Sequence, residues 1–176
     1  MLRSIKSLQD LGGKRVILRC DFNVPLSDGQ ITDDGRIRAA LPTIKHLIAA
    51  GARLVICSHL GRPEGQANPD FSLEPLATRL EELLGQPVVF SSDTIGAQAK
   101  AASKLLEDGG VALIENLRFS PLETSSDQAE REEFAKSLAV LGDVLVSDGF
   151  GVVHRKQASV YELAKLLPSY AGLLIE

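Results

Sequence analysis

The chain has 176 residues, 44% hydrophobic and 24% charged, a length and balance that suit one compact soluble domain and exclude a disordered chain. Its net charge of −4 excludes non-specific attraction to nucleic acid or to an anionic membrane, so any anion has to be captured by a local cluster of cations. No run approaches the ~20 apolar residues that span a bilayer, and Met1-Leu2-Arg3-Ser4-Ile5-Lys6 has no apolar core of secretory type, so the expected location is the cytoplasm.

Short β-branched runs alternate with helical patterns from end to end, the signature of βαβ units in a mostly parallel sheet. The first strand is expected at Arg15 to Cys20. A helix follows from Gly35 to Ala50, with Ile37, Leu41, Ile44, Leu47 and Ile48 at helical spacing, Gly51 as its stop and Pro42 as a kink or a sign of a shorter start. A second strand at Arg53 to Cys57 leads to a helix from Ser72 to Leu84, with Ser72 as N-cap and Gly85 as terminator. Strands at Pro87 to Phe90, Gly110 to Glu115 and Asp143 to Ser147 alternate with helices at Ile95 to Glu107 and Asp127 to Leu141. The last helix starts at Ser159, whose spacing to Glu162 is that of a capping box, and ends near Leu167-Pro168. These elements predict a three-layer, Rossmann-like, doubly wound α/β fold with helices on both faces of a parallel sheet. Cys20 and Cys57 close strand-like runs without CxxC spacing and read as buried thiols. From Tyr170 to Glu176 a new apolar segment begins.

In an open parallel sheet, ligands bind outside the carboxyl ends of the strands. Arg19, Asp21, Asn23 and Pro25 follow the first strand here, and His59, Gly61, Arg62 and Pro63 the second. Asn116 and Arg118 follow the fourth, Asp148, Gly149, Gly151, His154 and Arg155 the fifth, and Arg36 stands at the mouth of the first helix. The third strand exits into Ser91-Ser92-Asp93-Thr94, without a cation, and is expected to face away. Each group alone has an ordinary reading: Asp21 and Asn23 as turn residues, His59 as a packed histidine, Arg118 and Arg155 as surface ion-pair partners. Together they require several coincidences in a chain of negative net charge. Guanidinium groups match phosphate or carboxylate oxygens bidentately, so a small, multiply charged anion is the implied ligand. No P-loop, HExxH, Ser-His-Asp order or His/Cys cluster supplies a nucleophile or a metal site, and Gly149 to His154 lacks the third glycine of a dinucleotide fingerprint.

The blocks Arg19-Cys20-Asp21-Phe22-Asn23-Val24-Pro25, Ser58-His59-Leu60-Gly61-Arg62-Pro63 and Glu115-Asn116-Leu117-Arg118-Phe119, with Asp148-Gly149-Phe150-Gly151 and His154-Arg155 after them, resemble phosphoglycerate kinases along the whole chain. The resemblance implies that residues 1–170 are the N-terminal, 3-phosphoglycerate-binding domain and that 171–176 begin the connection to a C-terminal nucleotide-binding domain absent from this chain. It implies that Asp21, Phe22 and Asn23 line the substrate, that Arg62, Arg118 and Arg155 hold its phosphate with His59, Leu60 and Gly61 beside it, and that Arg36 is catalytic. No cofactor or metal is expected in this chain, with MgATP or MgADP on the missing domain; the expected partners are 3-phosphoglycerate and that domain, in a monomer. Where the family commonly shows NDAFGTAHRAH, this chain has Val152, Lys156 and Gln157 in place of a threonine, an alanine and a histidine. Two rival readings remain: a stand-alone phosphate-ligand sensor, which would seal its C-terminus, and an independent kinase with an unrecognised nucleotide site.

Overall fold

The computed structural model describes residues 3–176. In chain order it forms β1 (Arg15–Arg19), a small hairpin of β2 (Leu26–Ser27) and β3 (Gln30–Ile31), α1 (Gly35–Ala49), β4 (Arg53–Cys57), α2 (Glu74–Leu84), β5 (Val88–Ser91), α3 (Ala97–Leu105), β6 (Val111–Ile114), α4 (Gln128–Ala139), β7 (Val144–Ser147), α5 (Leu163–Leu166) and β8 (Ser169–Ala171). Six strands make one parallel sheet in the order β5-β6-β4-β1-β7-β8. Successive side chains of a strand point to opposite faces, and two cores result. Val16, Leu18, Leu54 and Ile56 pack on one face against Ile37, Ile44 and Leu47 of α1 and Leu76 and Leu80 of α2. Ile17, Val55, Ala112 and Ile114 pack on the other against Ala99 of α3 and Phe134 and Leu138 of α4. The fold is thus the three-layer α/β sandwich expected from the alternation of elements.

Several elements depart from expectation, each for a local reason. Pro42 lies inside α1 without ending it. Ser72 stands outside α2, where its hydroxyl donates to Glu115 Oε2 at 2.7 Å and accepts from the amide of Glu74 at 3.2 Å, so it serves the helix start from one residue further back. The third helix is shorter than expected because the Asp93 carboxylate accepts from the amides of Gln98 and Ala99 at 3.0 and 2.8 Å, which sets its start. The capping box does not form. Residues 158–162 make a wider, π-type turn, Ser159 Oγ donates to Glu123 Oε1 at 2.5 Å, and Glu162 turns to Arg131 at 2.9 Å. Partners in the interior outcompete the local motif.

The hairpin was not anticipated, although Asp28 and Gly29 take positive φ of 50° and 73°, as a two-residue turn between antiparallel strands requires. Nor was β8, which adds Ser169 to Ala171 to the outer side of β7. The amide of Ala171 also donates to the Arg3 carbonyl at 2.7 Å, and Lys6 meets Glu176 at 2.5 Å, so the first and last described segments lie together. Cys20 and Cys57 end adjacent strands as buried free thiols, and burial pushes the Cys57 pKa up to about 12.

The Arg131–Glu162 pair is buried between α4 and the turn before α5. Removing one partner of such a pair leaves an uncompensated charge inside, so Arg131→Met should lower stability by about 3–5 kcal/mol in urea unfolding monitored by circular dichroism.

Candidate anion-binding site

The carboxyl ends of β1, β4, β6 and β7 open on one edge of the sheet, with β4 on one side of β1 and β7 on the other. Chain order reverses there, which leaves a crevice between the loops that diverge from it. The cavity holds about 280 Å³ and is lined by Asp21, Asn23, Arg36, His59, Gly61, Arg62, Arg118 and Arg155, together with Gly151 and Val152. The exit of β5, at the sheet edge, lies outside it, and Asp93 there caps α3.

Backbone and side chains fix this wall mutually. Asn23 Oδ1 accepts from the Gly61 amide at 2.9 Å, and Arg118 donates from NH1 to the Gly61 carbonyl at 2.9 Å. Gly61 holds a φ of +60°, and a β-carbon on it would run into the ring of Phe71, so this loop admits no side chain there. Ser58 accepts from the Phe22 amide at 2.8 Å and donates to the Cys20 carbonyl at 3.0 Å, joining the loop after β4 to the loop after β1. Arg36 reaches across from α1 to Asp21 Oδ2 at 2.6 Å. Gly151 leaves room for that pair, since a β-carbon would strike Asp21 Oδ2.

Phe22 and Leu60 stand apart from the other anticipated residues. Both side chains belong to the core on the α1–α2 face, so they shape the crevice through their backbone rather than by lining it. Arg19 and Gly151 were placed at strand exits and Val152 in the last loop without a role at the ligand; Gly151 and Val152 line the crevice, and Arg19 lies buried behind His59. The signal for Arg19 was present: a guanidinium inside an otherwise apolar strand needs a partner in the interior.

The electrostatics are one-sided. Among the described residues, Arg62, Arg118 and Arg155 have no carboxylate within ion-pair distance, whereas Arg36 is held by Asp21. Burial lowers the pKa of Arg118 below the ordinary guanidinium range, and Arg19 and Arg155 add to the effect. Burial, followed by Arg19, Arg118, Arg36 and Arg155, pushes His59 down to about 2, so its imidazole is neutral at working pH. A second hollow of about 430 Å³ lies against the same three arginines and takes in Lys156 and Gln157. A larger surface hollow, about 910 Å³ between the hairpin and α2, is different in kind. Its Arg79 is already bound to Asp34 and Glu82, so it offers an anion nothing. Among the described residues no group of three or more His, Cys, Asp or Glu side chains could hold a metal ion, and no helix is long and apolar enough to cross a membrane.

The fold and this crevice define an open parallel α/β domain with a cationic site at its switch point. The phosphoglycerate kinase family model matches residues 5–176, and the chain belongs to that family, corresponding to its N-terminal domain. It is 66% identical over 174 residues to a phosphoglycerate kinase of Leifsonia xyli and 60% identical over 167 residues to one of Streptomyces coelicolor, covering 99% and 95% of this chain. It spans only 43% and 41% of those relatives. Among solved structures, the phosphoglycerate kinase of Pyrococcus horikoshii superposes with a TM-score of 0.89 at 38% identity, over 99% of this chain and 43% of that one. That of Coxiella burnetii gives 0.83 at 38% identity, over 99% and 42%.

Asp148, at the exit of β7, is fully buried; its Oδ1 accepts from the Leu174 amide at 2.9 Å, its Oδ2 has no hydrogen-bond partner among the described residues, and burial raises its pKa against the opposing pull of Thr43 and the Leu174 amide. A raised carboxyl pKa contributes stability at low pH that is lost as pH rises through the folded-state value. Asp148→Asn keeps an acceptor for Leu174 without the charge. It should therefore be at least as stable as the parent at pH 7, with its advantage shrinking as both are unfolded at pH values stepped down towards 4.

Proposed function

We propose that the crevice binds 3-phosphoglycerate, as the substrate half of an enzyme that moves a phosphoryl group between ATP or ADP and the carboxylate of that acid. The observation that carries this reading is the convergence of three arginines, without carboxylate partners among the described residues, on a cavity of about 280 Å³, in a chain whose net charge is −4. Arg62, Arg118 and Arg155 take the phosphate, with the neutral His59 and the Gly61 backbone beside it. Asn23, whose carbonyl oxygen is occupied by Gly61, offers its amide hydrogens to the hydroxyl and carboxylate end, next to Asp21. Arg36, more than half exposed at 54%, swings between Asp21 and the phosphoryl group in flight, where its charge offsets the charge on the transferring oxygens. Direct, in-line transfer needs positioning and neutralisation rather than a nucleophile, which suits a wall of donors.

In this reading MgATP or MgADP is held by a C-terminal domain outside this chain, and the protein works in the cytoplasm as a monomer. A hollow of about 440 Å³ beside Asp21 and Arg36, lined by Ala39, Phe150 and Leu174, supports a further domain over the crevice, since Phe150 and Leu174 leave 67% and 41% of their surface open. The backbone of Leu173 and Leu174 is tied to Thr43 and Asp148 at 2.9 Å each, while that apolar surface stays uncovered. The last segment packs its backbone on the domain, as a sensor would, but the uncovered Phe150 and Leu174 side chains favour the two-domain reading.

Titration calorimetry with 3-phosphoglycerate at low salt should show binding that weakens as salt is added, and silence at millimolar ligand would overturn the reading. Arg118→Met or Arg62→Met should each cost about 1.5–3 kcal/mol, roughly tenfold to a hundredfold in affinity. The chain alone should transfer no phosphoryl group in a coupled assay, and adding a C-terminal domain in trans should restore transfer.

A further inference from the structure

We propose that Arg19 is a positioning residue for the crevice: its guanidinium fixes His59 as the neutral tautomer with the proton on Nε2, so that the ring presents a donor to a bound phosphate. The ligand in this statement rests on the reading above; the tautomer does not.

Arg19 is 1% exposed and, among the described residues, has no carboxylate within ion-pair distance. Its Nε donates to Ser159 Oγ at 2.8 Å, its NH1 to the Cys20 carbonyl, and its NH2 lies 3.2 Å from His59 Nδ1. A guanidinium has donors only, so the contact is a hydrogen bond only if Nδ1 supplies a lone pair. The proton of the neutral ring is then on Nε2, which has no partner among the described residues, on a ring that lines the crevice.

A buried carboxylate lies further inside, behind the same guanidinium. Ser159 Oγ, having accepted from Arg19, donates to Glu123 Oε1 at 2.5 Å, and the Ser159 amide donates to Glu123 Oε2 at 3.0 Å. Glu123 is fully buried, so the chain Glu123–Ser159–Arg19–His59 runs from a carboxylate in the core to the crevice wall. Protonating His59 Nδ1 would break the Arg19 contact and set a second cation against the first. Of the other charged groups around the ring, Arg36 from α1, Arg62 after β4, Arg118 after β6 and Arg155 after β7 are cations; Asp21 after β1, the carboxylate that lines the same crevice, is paired with Arg36, and Glu123 reaches the ring only through Ser159 and Arg19. An ordinary histidine would gain charge near pH 6.5 and make anion affinity drift with pH. A neutral donor beside permanently charged arginines keeps it level.

Long-range ¹H–¹⁵N spectra of the labelled 176-residue chain, with His59 assigned through His59→Gln, read the tautomer directly. The expected result is an Nε2–H imidazole that does not titrate between pH 5 and 9. An Nδ1–H ring, or a midpoint inside that range, overturns the proposal. In Arg19→Met, His59 should mix tautomers or titrate within the range. Sulfate affinity, flat with pH in the parent, should then rise by roughly threefold or more from pH 8 to pH 5.5 as the ring gains charge. An unchanged His59 spectrum in a folded Arg19→Met protein also overturns it. Should that variant not fold, the parent spectrum decides alone. Failure of sulfate and 3-phosphoglycerate to bind the parent would remove the proposed function and leave the tautomer result standing.

Discussion

The side chain of Asn116 ties together the segments on which the anion-facing wall is built. Its amide nitrogen donates to the carbonyls of Leu60 and Phe71 at 2.8 and 2.9 Å, and its oxygen accepts from the amides of Leu60 and Arg118 at 3.3 and 3.1 Å. That uses the full capacity of an amide, in a residue with no exposed surface. Its neighbour Glu115 extends the same clamp, accepting from the Leu73 amide at 2.8 Å and from Ser72 Oγ at 2.7 Å. The loop after β4, the turn before α2 and the turn after β6 are thus one hydrogen-bonded body. Each buried group left unmade here would cost about 1–3 kcal/mol, and that penalty holds His59, Gly61 and Arg118 in register before any ligand arrives.

What the clamp holds is a strained charge distribution. Arg118 is half-buried and faces Arg19, Arg62 and Arg155, each of which lowers its pKa. Glu123, the buried carboxylate that acts on both Arg19 and Arg118, is itself pushed up by burial. The free domain carries this repulsion as a cost of folding. An anion that meets the arginines relieves it, so occupancy and stability are linked. The same imbalance explains why the chain can be acidic as a whole and still offer a cationic cavity: its carboxylates are spent elsewhere, on Arg15, Arg38, Arg53 and Arg79 at the surface.

The layer architecture was legible because β1, β4, β6 and β7 are near-continuous apolar runs, as strands covered on both faces must be. Eight of the ten anticipated residues reach the crevice, seven because each follows a strand whose end was identifiable and Arg36 because it opens the first helix. Phe22 and Leu60 do not, because alternation along a loop cannot be read as it can along a strand. Strand β8 escaped because three residues carry no period, and only the open side of β7 makes them a strand. The Ser159 and Glu162 spacing misled for the opposite reason: a local motif was visible, but Glu123 and Arg131, distant in sequence, claimed its members. Arg19 is the most instructive case. Its charge was plain in the sequence, yet what it does depends on Ser159 and His59, which only the folded chain brings to it.

The meeting of the first and last described segments has a consequence for how the domain comes apart. Arg3 and Ser4 lie along Ala171, and Lys6 reaches Glu176, so the opening turn and the closing strand are held by one set of contacts at the sheet edge. Loss of either segment would strip the other of these contacts, so the amide hydrogens of the two are expected to exchange as one small cooperative unit. That unit ends at β7, whose own exit carries Asp148. The loop after β7 also supplies Gly151, Val152 and Arg155 to the crevice, so the contacts at the sheet edge adjoin one of its walls.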